Sequence, residues 1–150
     1  MKTILHAFDI NADRDEVHRA LTTLEGLSGW WTTDVTGETD ESGVIHFAFE
    51  GDFNPDMRVD ESSGDAVRWT CIGGHAPWLD NTFHFEVSGE APVHLMMRQH
   101  YARELSDRAY GIYNFNWGYY LDSLRSLAES GNGKPFQVDP AKSAASSPMS

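Results

Sequence analysis

The sequence predicts an α+β domain: a curved antiparallel sheet of about six or seven strands gripping a long C-terminal helix, with one or two short helices after the first strand. Three observations carry this expectation. Across residues 32–101, short runs of alternating apolar and polar residues are separated by turn residues, the pattern of antiparallel strands with one wet and one dry face. A single long helical period, over residues 113–129, follows all of these runs. A lone apolar sheet face and a lone apolar helix stripe must cover each other.

Each element has its own justification. In residues 3–10, Ile4, His6, Phe8 and Ile10 alternate with Leu5 and Ala7, so a strand buried on much of both faces is expected. Asp13 followed three residues later by Glu16 has capping-box spacing. Val17, Ala20, Leu21 and Leu24 then fall on one helical stripe, and Gly26 and Gly29 are expected to break regular structure before Trp30-Trp31. The alternating runs place Ile45, Phe47 and Phe49 on the dry face. Met57, Val59, Val67, Trp69 and Cys71 join them, as do Phe83, Phe85, Val87, Val93, Leu95 and Met97. Separators such as Gly51-Asp52, Gly73-Gly74 and Ser88-Gly89-Glu90 are turn chemistry. The closing helix carries Tyr113, Trp117, Tyr120, Leu121, Leu124, Leu127 and Ala128 at three- and four-residue steps, and Gly131 and Gly133 supply its stop. Residues 1–136 read as one domain, and residues 137–150, rich in Ala, Ser and Pro, as a disordered tail.

This arrangement leaves a geometric question. A helix is ~10 Å across, narrower than about seven strands spaced at ~4.8 Å. Large side chains must fill the remainder, or an apolar space stays between helix and sheet. Either way the same residues are involved: His6, Trp30, Trp31, Phe47, Phe49, Met57, Trp69, Phe83, Phe85, Leu95, Met97, Trp117, Tyr120, Leu121 and Leu124. Composition leaves both outcomes open, and aromatic-lined apolar pockets are the common form of small-molecule sites.

Composition narrows the partners. Of 150 residues, 40% are hydrophobic and 12% aromatic, as in a folded domain. Eleven Lys and Arg against 23 Asp and Glu give a formal charge of −12, which repels phosphate backbones and anionic membrane surfaces, so no nucleic-acid or membrane partner is expected. No run approaches the ~20 apolar residues of a membrane span. The opening residues turn polar too soon for a secretory signal. One cysteine, Cys71, allows no internal disulfide, so a reducing cytoplasm is the expected location.

The order of elements and two motifs resemble the START-like (SRPBCC) superfamily with its helix-grip fold. The stretch Asn116-Trp117-Gly118-Tyr119-Tyr120-Leu121-Asp122-Ser123-Leu124-Arg125-Ser126-Leu127, followed by Gly131-Asn132-Gly133-Lys134-Pro135-Phe136, is similar to the closing signature of one branch. That branch resembles the activator of the ninety-kilodalton heat-shock protein (Hsp) ATPase. The helix Glu16-Val17-His18-Arg19-Ala20-Leu21-Thr22 followed by Trp30-Trp31 resembles its opening signature. Where the branch usually carries a proline ahead of this helix, this chain has Asn11-Ala12-Asp13, and residues 73–81 match no pattern of the branch. The resemblance implies a cavity between sheet and helix, and it allows a chaperone contact; it implies no catalysis in this branch.

Chemistry-bearing residues are read more plainly. None of the seven histidines has metal-ligand spacing, so no metal and no cofactor are expected. Strand parity on the last hairpin sets His84 opposite His94 or Met96 and Glu86 opposite Pro92 or His94, on the wet face. A cross-strand cluster is thus allowed there, although solvated side chains are the simpler reading. His6 shares a face with Ile4, Phe8 and Ile10 and is expected to be neutral and hydrogen-bonded. His75 lies on the glycine-rich Gly73-Gly74-His75-Ala76-Pro77-Trp78 segment, a connection or a pocket gate. Spacing reveals no nucleophile triad, and no catalytic residue is assigned. The expectation is a small cytoplasmic module binding an apolar or aromatic molecule, of undetermined oligomeric state. The alternatives are a chaperone-associated interaction module and an enzyme of lyase, cyclase or hydrolase type using His6 or His75.

Overall fold

The computed structural model describes residues 2–90 and 92–138. In chain order the elements are β1 (Thr3–Ile10), α1 (Arg14–Thr22), α2 (Leu24–Trp30), β2 (Asp34–Gly37), β3 (Val44–Ala48), β4 (Asp56–Ser62), β5 (Ala66–Gly73), β6 (Thr82–Gly89), β7 (Val93–His100) and α3 (Asp107–Ser130). A 3-10 turn, Ala76–Trp78, joins β5 to β6. The strands form one antiparallel sheet in the order β1-β7-β6-β5-β4-β3-β2. The fold is therefore the expected one, a seven-stranded antiparallel sheet packed on a C-terminal helix, with short helices after the first strand.

Alternation dictates which face is buried. The residues of β3 to β7 assigned to the dry face line one side of the pleat and are buried, from Ile45 and Phe47 through to Leu95 and Met97, whereas Ile72, on the other side of β5, is exposed. The three helices pack on that side. Nothing covers the other side among the described residues. The expectation that β1 is buried on both faces therefore fails: β1 is an edge strand, and Leu5 is 55% exposed. The hairpin of β6 and β7 keeps the expected parity but is displaced along the strands. His84 stands opposite Arg98, Glu86 opposite Met96, and His94 opposite Ser88. The His84–His94 and Glu86–His94 pairings therefore do not form. His94 instead bonds Asp9 of β1 through Nδ1 at 2.6 Å, and Arg98 pairs with Glu86.

The helical segments differ from the sequence reading in instructive ways. Asp13 occupies the N-cap of α1, but its side chain makes no capping bond. Glu16 pairs with Arg19 at 2.7 Å instead of completing a capping box. The stripe does not run through to Leu24, because the chain turns extended at Thr23, whose Oγ1 accepts the Gly26 N–H at 2.9 Å and starts α2. Gly26 and Gly29 sit inside α2 rather than ending the helical segment. They are packing residues: a Cβ on Gly26 would fall 2.3 Å from the Arg19 carbonyl oxygen, and one on Gly29 3.0 Å from the Leu127 side chain. α3 begins at Asp107, earlier than the apolar period suggests, because Ser106 caps it by accepting the Ala109 N–H at 3.1 Å. It ends at Gly131, in the left-handed region at φ 83°.

The exit from α3 closes the structure. Phe136 donates its N–H to the Trp31 carbonyl at 2.8 Å and accepts the Thr33 N–H at 2.9 Å, while Lys134 N–H reaches the buried Ser123 hydroxyl at 2.6 Å. The two motifs that carry the family resemblance are thus hydrogen-bonded to each other. Of residues 137–150, Val138 N–H bonds Thr33 Oγ1 at 3.1 Å; residues 139–150, most of the expected tail, lie outside the described residues.

Buried Gln99 of β7 anchors α3 from below, accepting the Trp117 indole N–H at 2.7 Å. Gln99→Leu keeps side-chain bulk but strands that N–H. It should lower unfolding stability by about 1–3 kcal/mol in urea titration.

Candidate functional site

Aromatic side chains occupy most of the space between sheet and helix. Trp31 stands at the centre and touches the other four tryptophans of the chain. Its ring lies within 26° of parallel to each of Trp30, Trp69, Trp78 and Trp117, with centroids 5.1–6.4 Å away. Phe47 and Phe49 meet it edge-on at 4.6 and 5.2 Å. Both geometries are favoured by the ring quadrupole. Trp30 is further fixed by its indole N–H, which donates to the Ala20 carbonyl at 2.8 Å.

Packing does not fill the whole interval. Where the β3–β4 loop and the 3-10 turn approach α3, a cleft of about 310 Å³ remains. Eight of its ten lining residues are aromatic: Trp31, Phe49, Phe53, Trp78, Tyr113, Trp117, Tyr120 and Phe136; the other two are Glu50 and Asn116. Two loops are tied together to build its rim. Asn54 Oδ1 accepts the Phe49 N–H at 3.1 Å, and Asn54 N–H donates to the Gly74 carbonyl at 3.0 Å. Gly74 is required there, because φ is +80° and a Cβ would fall 1.8 Å from the Asn54 carbonyl oxygen. This contact brings Trp78 to the cleft wall and His75 against the wall residues Phe53, Trp78 and Tyr113.

Of the residues singled out from sequence, Trp31, Phe49, Trp117 and Tyr120 meet at this cleft. Trp30, Phe47, Met57, Trp69, Phe83, Phe85, Leu95, Met97, Leu121 and Leu124 are buried in the core and do not border it. His6 is half-buried, with its ring 3.8 Å from the Cβ position of Gly118, and it too lies outside the cleft lining. Its Nε2 has no hydrogen-bond partner among the described residues, contrary to the expected bonded state. Phe53, Trp78, Tyr113, Asn116 and Phe136 were not singled out. Phe53, Trp78 and Phe136 belong to a loop, the 3-10 turn and the exit segment, where no period marks an inward face, whereas Tyr113 falls on the apolar period of α3 and Asn116 is a polar residue beside it.

One polar pair stands at the wall. His75 Nε2 and the Tyr113 hydroxyl are 2.9 Å apart. The imidazole is held edge-on against Phe53 at 4.7 Å and Trp78 at 5.5 Å. Burial pushes the His75 pKa below the ordinary histidine value, an effect that Asp52 opposes, and burial raises that of Tyr113. A larger depression of about 940 Å³ lies on the outer sheet face around Arg14, His84, Glu86 and His94. Its charged walls are paired, Arg14 with Asp65, Glu86 with Arg98 and His94 with Asp9, and Phe8 is the one phenyl ring in its lining. No group of three or more metal-ligating side chains forms among the described residues, and no helix among them is long and apolar enough to cross a membrane.

Behind the cleft wall, the Tyr101 hydroxyl is buried without a hydrogen-bond partner among the described residues, and burial drives its pKa far above the ordinary tyrosine value. The unfolded chain loses this proton near pH 10 while the folded chain keeps it. The associated stability is therefore complete below pH 10 and is lost as pH rises further, at up to about 1.4 kcal/mol per pH unit. Tyr101→Phe should flatten the alkaline limb of a stability-against-pH curve measured by denaturant unfolding.

Comparison with known proteins places this geometry. No protein-family model matches the sequence, and no curated protein does. Among solved structures, the Aha1 dimer from Colwellia psychrerythraea superposes with a TM-score of 0.79 at 29% identity, over 89% of this chain and 100% of the other. Protein MLL2253 from Mesorhizobium loti gives 0.71 at 19% identity over 84% and 96%. CalU16 from Micromonospora echinospora gives 0.69 at 17% over 97% and 74%; these last two similarities bear on fold alone. The chain has the START-like (SRPBCC) helix-grip fold and, within it, resembles the Aha1 domain of Hsp ATPase activator type.

Proposed function

We propose that the protein is a binding module that holds an apolar or aromatic small molecule in the cleft between α3, the β3–β4 loop and the 3-10 turn. The observation that carries this reading is the 310 Å³ cleft with its nearly continuous aromatic wall. Its size lies at the lower end of small-molecule sites, with room for a ligand of about two rings. Burial against the aromatic wall provides the affinity. The core residues among the original candidates act on this site indirectly, by holding Trp31 and Trp117 in place. The START-like fold, shared with a superfamily of binding modules, supports the same reading.

N-phenyl-1-naphthylamine, a neutral fluorescent probe, should bind saturably at one site per chain. Phe53→Ala, which removes a partly buried wall residue, should weaken that binding at least about fivefold. Leu5→Ala on the outer sheet face should leave it unchanged. Absence of saturable binding by the folded parent protein would end this reading.

A second reading, an interaction module of the chaperone-associated kind, is favoured by a separate observation. Ile112, Phe115 and Tyr119 form an apolar stripe on α3 that is 46%, 78% and 51% exposed, beside the cleft face of the same helix. The similar Aha1 structure is described as a dimer. On this reading Phe115→Asp abolishes retention by the immobilised ninety-kilodalton heat-shock chaperone and leaves probe binding intact. Equal retention of parent and variant, or none of either, counts against it.

A further inference from the structure

We propose that the cleft selects a flat aromatic molecule carrying one neutral oxygen, a carbonyl or a hydroxyl, which hydrogen-bonds to the Tyr113 phenol held by His75, and that it discriminates against the corresponding carboxylate. The proposal rests on the reading of the cleft as a ligand site and specifies its chemistry.

Tyr113 lines the cleft, and its hydroxyl is fixed by the 2.9 Å contact to His75 Nε2. The imidazole has little freedom to leave, since Phe53 and Trp78 hold it edge-on. Burial disfavours charge on both groups, lowering the pKa of the imidazole and raising that of the phenol. At neutral pH the pair is uncharged: the phenol keeps its O–H and the imidazole carries one N–H, at Nε2 or at Nδ1.

The imidazole's one N–H proton gives the pair two faces. When Nε2 carries it, the imidazole donates to the phenol oxygen and the phenol O–H is free to donate to a carbonyl. When the phenol donates to Nε2, its oxygen keeps a lone pair that accepts from a ligand hydroxyl. A neutral oxygen of either kind is therefore satisfied. A carboxylate is treated differently. Among the described residues no Lys or Arg lines the cleft. An anion would lose water against aromatic rings with no counter-charge among the described lining residues, on a chain of net charge −12.

Equilibrium dialysis against 2-ethylnaphthalene, 2-acetonaphthone and 2-naphthoate tests this on the intact chain. The parent should bind 2-acetonaphthone at least about fivefold more tightly than 2-ethylnaphthalene, the worth of one net hydrogen bond, and 2-naphthoate most weakly. Tyr113→Phe, which keeps the ring and its packing, should erase the preference for the ketone and leave 2-ethylnaphthalene binding within twofold. The proposal is overturned if the parent binds ketone and hydrocarbon equally. It is also overturned if Tyr113→Phe retains the preference, or if 2-naphthoate binds as tightly as the ketone. Failure of the hydrocarbon itself to bind would instead remove the cleft reading beneath it.

Discussion

The architecture depends on how one side chain, Trp31, is surrounded. A single closing helix is too narrow to cover a seven-stranded sheet, and the difference must be filled by volume. Trp31 provides the hub for that filling, since the other four tryptophans and two phenylalanines all pack on it. These partners come from α2, β3, its following loop, β5, the 3-10 turn and α3, so one ring couples elements far apart in sequence. Large flat residues achieve this because near-parallel and edge-on contacts bury much area with few rotatable bonds. Gln99 and Ala20 then satisfy the indole N–H groups of Trp117 and Trp30, whereas those of Trp69 and Trp78 are buried without a hydrogen-bond partner among the described residues.

Trp31 can serve as a hub only because its backbone is held from both sides. It ends α2, with its N–H bonded to the Leu27 carbonyl at 3.0 Å, and its own carbonyl accepts from Phe136 at 2.8 Å. The segment leaving α3 therefore returns to the segment leaving α2. This explains physically why the two motifs resembling the Aha1 branch lie at opposite ends of the chain: they form one joint. Gly26 and Gly29 serve the same joint: a Cβ on Gly26 would collide with the α1 backbone, and Gly29 lets the Leu127 side chain of α3 pack closely on α2.

The cleft lies where this packing runs out. Core positions on the central strands have neighbours on every side, so Trp69, Phe83 and Phe85 are sealed. At the end of the sheet the wall is made by loops, and loops place their rings less densely than a pleat does. Phe53, Trp78 and Phe136 close on Trp31 and Tyr120 without filling the interval. A site built this way joins a rigid floor to a wall of connecting segments, the usual division of labour between scaffold and recognition. The outer sheet face, by contrast, carries exposed ion pairs that contribute little each.

The sequence alone determined the class of fold, because alternation and helical period report directly which face of each element must leave water. From Ile45 to Met97 the dry-face assignments hold residue by residue, and the position of Gly131 at the end of α3 follows from the same local logic. It also identified Trp31, Phe49, Trp117 and Tyr120 as residues of the sheet–helix interval. What it could not decide depends on contacts between distant segments. The exposed outer face of β1 follows from its place at the sheet edge, and the register of β6 and β7 from the hairpin geometry, neither of which a local pattern encodes. Gly26 and Gly29 look like helix breakers until the helices they admit are seen. The pairing of His75 with Tyr113 joins residues 38 apart, with β6, β7 and the start of α3 between them. Only the tertiary structure could determine whether the aromatic residues fill the interval or line it: they fill most of it, and a cleft remains at one end, because void volume is a property of the assembled packing and of no single segment.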